Sequence, residues 1–235
     1  MKKAYPFLVF LVLILLGCNQ SANTYFKRGL SKIKLQDYKG GLTDITKAIE
    51  LNPNNEEYYF FRGMLRFDTK NYIEAISDFN KAIQIRPTYI DAIYNRGNSK
   101  SFISENSGSI EDYTKAINIG YKNEKIYFNR GYVKNRLQDY RGAISDFTFA
   151  LEYNDKYSRA YTCRGNAKFN LQDYESAILD FTKAIELDPM SCEAYENRGY
   201  AKILIGQKDN GCLDLSKAGE LGEPKAYELI NKYCR

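Results

Sequence analysis

The sequence predicts an all-α chain, an α-solenoid of six stacked helix hairpins closed by a last helix, from three observations. The first is a strict period. Arg-Gly recurs at Arg28, Arg62, Arg96, Arg130, Arg164 and Arg198, always 34 residues apart. The second is a set of small residues in register with that period, which lets helices lie close together. The third is Pro53, Pro87 and Pro189, which fall at one place in three of the blocks. A helix must stop there, because Pro has no N–H to donate and its ring clashes with the preceding turn. Self-similarity at this length marks stacked units that cannot bury their apolar faces alone.

Aligned on the Arg, the blocks run 22–55, 56–89, 90–123, 124–157, 158–191 and 192–225. Each is expected to hold a first helix (A), a short turn and a second helix (B). Block position 8 is Gly in all six copies. Gly inside a helix costs about 1 kcal/mol relative to Ala, so the column needs a reason, and close helix contact is one. Position 20 is Gly41, Ala75, Ser109, Ala143, Ala177 and Gly211, and position 27 is always Ala, from Ala48 to Ala218. Phe79, Tyr113, Phe147 and Phe181 at position 24 are expected to fill the space between helices. Two blocks depart from the pattern. The third has Asn106 where others carry Tyr38, Tyr72, Tyr140 or Tyr174, and it lacks the terminal Pro. Its length is unchanged, so a looser A–B turn is expected there and no domain boundary. The sixth block is followed by a tail, 226–235, read as a capping helix over a face that would otherwise be bare.

The first 18 residues are of another kind. "MKK" is a short basic stretch, and "FLVFLVLILL", Phe7 to Leu16, is an apolar run ending in "LLGC". The run is too short to span a bilayer comfortably and suits a signal-peptide core. Leu15, Leu16, Gly17 and Cys18 resemble a bacterial lipoprotein signal. The resemblance implies removal of 1–17, a lipidated Cys18 and a short tether, 18–21. An ordinary secretory signal or an N-terminal anchor is the alternative. Asn19 favours the outer membrane over inner-membrane retention, if the source has two membranes.

The clearest block, "SRAYTCRGNAKFNLQDYESAILDFTKAIELDPMS" from Ser158 to Ser191, resembles the tetratricopeptide repeat. Gly165, Ala177, Phe181, Ala184, Leu187 and Pro189 carry the likeness, which extends from Ala22 to about Lys225. It implies a right-handed solenoid that binds or scaffolds proteins.

Position 7, usually Leu in that family, is Arg here in every copy. Position 23 is Asp in every copy, and position 11 is always basic. In an antiparallel hairpin positions 7 and 23 lie at one height. The expected pairs are therefore Arg28–Asp44, Arg62–Asp78, Arg96–Asp112, Arg130–Asp146, Arg164–Asp180 and Arg198–Asp214. Lys100 of the next block is expected to approach Asp78 from the other side. A phosphate-binding Arg stripe is the weaker reading, since every Arg has its own Asp.

The family's concave surface comes from helix A positions 2, 5, 9, 12 and 13. Carried over, this gives an aromatic lining over repeats two to five: Phe60, Phe67, Tyr94, Phe102, Phe128, Tyr132 and Phe169. Asn98, Asn135, Arg136 and Asn166 sit among the rings. Rings take side chains and carboxamides bond peptide backbone, so a protein or peptide partner is expected. The alternative is that these rings only pack repeats together. An accessory subunit of a secretion or assembly complex, using the convex or lateral face, is the second functional reading. Glycan binding is the third.

Cys212 in the last B helix and Cys234 in the tail are expected to pack together and to form a disulfide, while the state of Cys163 and Cys192, on successive A helices, is left open. Without Lys2 and Lys3 the balance is 32 basic against 29 acidic residues, too even to imply nucleic acid. There is no His, the commonest general base and neutral metal ligand. No enzyme, metal or small-molecule cofactor is expected.

Overall fold

The computed structural model describes residues 21–235. The signal segment expected over 1–17 and the lipidation expected at Cys18 lie outside the described residues. The chain divides into two compact units, one reaching to Ser99 and the other running from Lys100 to Arg235. The first unit holds α1 (Ala22–Lys34), α2 (Tyr38–Leu51), α3 (Glu56–Asp68), α4 (Tyr72–Ile85) and most of α5 (Ile90–Phe102). The second holds the end of α5, then α6 (Asn106–Asn118), α7 (Glu124–Arg136), α8 (Tyr140–Tyr153), α9 (Ser158–Asn170) and α10 (Tyr174–Leu187). It ends with α11 (Cys192–Leu204), α12 (Lys208–Glu220) and α13 (Pro224–Tyr233). Odd-numbered helices up to α11 are A helices, and even-numbered ones are B helices.

Local chemistry sets the boundaries. Ser21, Asn55, Asn123 and Ser191 cap A helices through their side-chain oxygens, and Asp37, Asp139 and Asp173 cap B helices. Each satisfies a backbone N–H that the helix itself cannot reach. Between A and B the chain turns through one left-handed residue: Gln36, Lys70, Ser104, Gln138, Gln172 and Gly206 all have positive φ. The turn of the third repeat is not looser. Ser104 has φ 63°, and the Glu105 N–H reaches the Lys100 carbonyl at 2.9 Å, matching Asp37 to Lys32 at 2.9 Å. The six-to-one bond closes the turn whatever side chain follows. The third repeat does carry the division between units, against expectation. Tyr72 packs its ring on Phe67 at 5.5 Å and Tyr174 on Phe169 at 5.1 Å. Asn106 supplies no such ring, and its Oδ1 is buried with no hydrogen-bond partner among the described residues.

Where Pro is missing after α6 and α12, Gly ends the helix. Gly120 (φ 105°) and Gly222 (φ 100°) take the left-handed conformation, and Tyr121 and Glu223 bond back to Ala116 and Ala218 at 2.9 and 3.0 Å.

The small columns are contact points. A Cβ on Gly211 would lie 2.6 Å from the Gly199 carbonyl oxygen, so α11 and α12 touch backbone to backbone. A Cβ on Gly165 would lie 2.6 Å from the Phe181 ring. Phe79, Phe147 and Phe181 and the whole position-27 Ala column are fully buried.

The closing helix starts at Pro224, earlier than the expected 226. Pro's fixed φ suits the first helical position, and Glu223 caps the Lys225 N–H. Tyr227 covers Gly219, and Lys225 reaches the buried Glu196 at 3.3 Å. Cys212 and Cys234 are disulfide-bonded, with Cα atoms 5.8 Å apart.

Candidate functional site

The charged ladder determines which cations remain available. Within the first unit Arg62 Nη2 donates to Asp78 at 2.7 Å, and Arg28 pairs likewise with Asp44. Within the second, Arg130–Asp146, Arg164–Asp180 and Arg198–Asp214 close at 2.6, 2.7 and 2.7 Å. In the third repeat, which the division crosses, Lys100 holds Asp112 at 2.9 Å and Arg96 donates to Asn80 at 2.7 Å.

Lys100 is the second cation expected at Asp78. Arg66, from the same repeat, takes that place at 2.7 Å. Lys32, Lys134, Lys168 and Lys202 do the same for their own Asp. Positions 7 and 11 are one helical turn apart on a single face, so both cations reach the two oxygens of one carboxylate. What crosses to the neighbouring repeat is the other end of the guanidinium. Arg62 donates to Thr46, Arg130 to Thr114, Arg164 to Thr148 and Arg198 to Thr182, all at 3.1 to 3.3 Å. Each of these Arg residues thus ties its own hairpin to the preceding one. A Tyr ring at position 4 lies under it, as Tyr127 does under Arg130 at 5.7 Å. The hydrogen bond from Arg28 holds the Asp44 carboxyl below the usual range against the opposing effect of burial, and Lys32 adds to it. That contribution to stability is present above the ordinary Asp pKa and is lost as pH falls through the folded value.

The expected lining separates into two kinds of residue. In the first unit, Phe60 is half-buried against Phe61, Phe79 and Tyr89 (ring centroids 5.3, 6.1 and 5.0 Å), and Phe67 lies on Tyr72. Tyr94 and Asn98 are half-buried on α5. In the second unit, Phe102 is exposed. Phe128 is core, not lining. It is 4% exposed, with Tyr157 at 4.9 Å, Phe147 at 5.6 Å and Tyr132 at 6.3 Å. Position 5 points toward the next A helix, where Tyr157 covers the ring. Tyr132, one turn on, is 40% exposed.

Around Tyr132 the second unit assembles a polar and aromatic face. The Arg159 guanidinium lies 5.4 Å from the Phe128 ring and 6.0 Å from the Tyr132 ring. Asn166 donates to Glu193 at 3.1 Å and accepts from Asn197 at 2.8 Å. Phe169 packs on Tyr200 at 5.6 Å, and Tyr200 on Tyr233 of the closing helix at 5.6 Å. Asn135 is half-buried with its Oδ1 unpartnered among the described residues. Arg136 turns away from the rings to the Ser101 carbonyl and Ser104 Oγ (3.2 and 3.0 Å). Arg159, Glu193 and Tyr233 were not singled out from the sequence. The first two stand at position 2, a groove column, and their charge among the rings was the available signal.

The thiols differ in kind. Burial pushes Cys163 up to about 12, and Cys192 is a half-buried free cysteine. Since the thiolate is the reactive form, a shift of this size suppresses reactivity at pH 8 by about a thousandfold. Iodoacetamide on the folded, unreduced chain is expected to label Cys192 at least about a hundredfold faster than Cys163, and to leave Cys212 and Cys234 untouched. Mass mapping checks this; label on Cys212 would contradict the bridge. No group of His, Cys, Asp and Glu among the described residues could hold a metal ion. None of the described helices is long and apolar enough to cross a membrane.

Three stretches, 22–55, 56–89 and 158–191, match models of the tetratricopeptide repeat. No curated protein matches the chain in sequence. Among solved structures it is similar to YrrB, a TPR protein with an unusual peptide-binding site. Identity is 22% over 80% of this chain and 97% of that one, with a TM-score of 0.71. It is similar to PilW, a widely conserved type IV pilus biogenesis factor, at 16% identity over 91% of this chain and all of that one, TM-score 0.71. PilF of Pseudomonas aeruginosa is 12% identical over 90% of this chain and 96% of that one, with a TM-score of 0.72. At such identities the likeness is one of fold. With the repeat matched in three blocks and its helix pairs present throughout 22–225, the chain is a tetratricopeptide-repeat protein.

Proposed function

We propose that the chain is a lipid-anchored protein of the bacterial envelope that binds or scaffolds a protein or peptide partner. The observation that carries this reading is the face of the second unit where Tyr132, Arg159, Asn166 and Phe169 stand together on successive A helices. Exposed ring surface beside carboxamides suits a peptide, whose side chains pack on the rings while its backbone meets the amides. A partner also accounts for aromatic surface that is left exposed. The "LLGC" motif ending at Cys18 supports the anchor, and Asn19 supports the outer membrane. The Cys212–Cys234 disulfide supports an oxidising compartment. The second reading, a structural subunit docking by its B helices, is favoured by Leu179 and Leu213. These are 71% and 69% exposed at one block position of α10 and α12.

Tyr132→Ala with Asn166→Ala is expected to reduce partner capture in a cross-linked pull-down from native membranes at least about tenfold, while leaving the protein folded. A folded double variant with undiminished capture would overturn the reading. Loss on Leu179→Asp with Leu213→Asp instead would move the contact to the B helices.

A further inference from the structure

Block position 26 is Lys in five repeats: Lys47, Lys81, Lys115, Lys183 and Lys217. In three of them it closes an ion pair one turn on, Lys47–Glu50, Lys183–Glu186 and Lys217–Glu220, at 2.8 to 3.0 Å. In the second it bonds Gln84 at 3.2 Å. The fourth repeat breaks the column with Phe149 and keeps the acid, Glu152. It also breaks position 30, which is Leu or Ile in the other five repeats and Tyr153 here.

The two changes make a surface that no other repeat has. Tyr127 holds Phe149 at 5.2 Å and stacks on Tyr153 at 5.8 Å. The outer two rings are 42% and 51% exposed. With Lys122 and Glu152 they line a shallow depression of about 420 Å³. Neither Lys122 nor Glu152 has an ion pair or hydrogen bond among the described residues, Glu152 because its usual cation is now a ring. The patch therefore combines an aromatic centre, one unpaired cation and one unpaired anion.

We propose that this face of the fourth repeat binds the same face of a second copy of the chain. A two-fold contact needs a self-complementary patch, in which each residue meets what its counterpart lacks. Here rotation sets Phe149 and Tyr153 against their equivalents and brings Lys122 of each copy to Glu152 of the other. A partner of single charge would satisfy one of the two ions and leave the other unpaired in a desolvated contact. The contact lies on α8, the start of α7 and Lys122 just before it, and shares no residue with the face proposed for the partner, so the two sites stand or fall separately.

The test is sedimentation equilibrium of the full chain in mild detergent over about 1–100 µM, a range that resolves micromolar association. The wild type is expected to dimerise. Phe149→Lys restores the residue of the other five repeats and supplies Glu152 with a neighbour, so it should fold. It is expected to weaken the dimer at least about tenfold. Lys122→Glu and Glu152→Lys are each expected to weaken it, and both together in one chain to restore it, since the swapped charges again face each other. A monomer throughout, a dimer indifferent to Phe149→Lys, or a double reversal that fails to restore association would each overturn the proposal. In the first case the patch belongs to a different protein.

Discussion

Asp146→Asn is expected to lower the stability of the chain by about 3 kcal/mol, read as a shift of the urea midpoint. Asp146 is 1% exposed by its side chain, and Arg130 and Lys134 both end on it, at 2.6 and 2.8 Å. Their side chains are 14% and 20% exposed, so neither cation can regain full hydration when the carboxylate is neutralised. Breaking a buried pair in this way costs more than the pair contributes, because a charge is left without compensation. Arg130→Leu with Asp146→Leu is therefore expected to recover at least half of the loss. Lys134 can then extend its amine toward water along its aliphatic stem. A midpoint for Asp146→Asn within about 0.5 kcal/mol of the wild type, the range of ordinary surface changes, would show that the ladder holds no hairpin in place.

Phe128→Ala is expected to cost about 3–4 kcal/mol, and Tyr132→Ala, on the same helix, less than about 1 kcal/mol. The Phe128 ring is enclosed by Phe147 from its own hairpin and Tyr157 from the next repeat, and its removal leaves a cavity those rings cannot close. Tyr132 loses only surface contact. Thermal unfolding of the two single variants decides between a ring that lines a groove and a ring that joins repeats. A Phe128→Ala variant as stable as the wild type would return this residue to the groove.

Much of the fold is legible in the sequence because its signals are local or strictly periodic. Gly at position 8 and a small residue at position 20 report a close helix contact. Pro53, Pro87 and Pro189 report helix ends. Arg-Gly at 34-residue spacing aligns the Asp that faces each Arg. The turn after α5 looked irregular because Asn106 replaces Tyr, yet the backbone bond from Glu105 to Lys100 closes it as in the other repeats. The residue change is expressed in packing and leaves the turn unaltered.

By itself the sequence determined the six blocks, the hairpin in each, and the pairing of Arg28, Arg62, Arg130, Arg164 and Arg198 with the Asp sixteen residues on, because these follow from spacing along one chain. Only the tertiary structure decided which cation shares each carboxylate, that Phe128 is core while Tyr132 is surface, and that Glu152 stands unpaired beside Phe149. Those outcomes depend on side chains brought in from neighbouring helices. A ring is covered when the next helix supplies Tyr157, and a carboxylate is satisfied when a cation lies within reach. Neither condition is written at the position it affects.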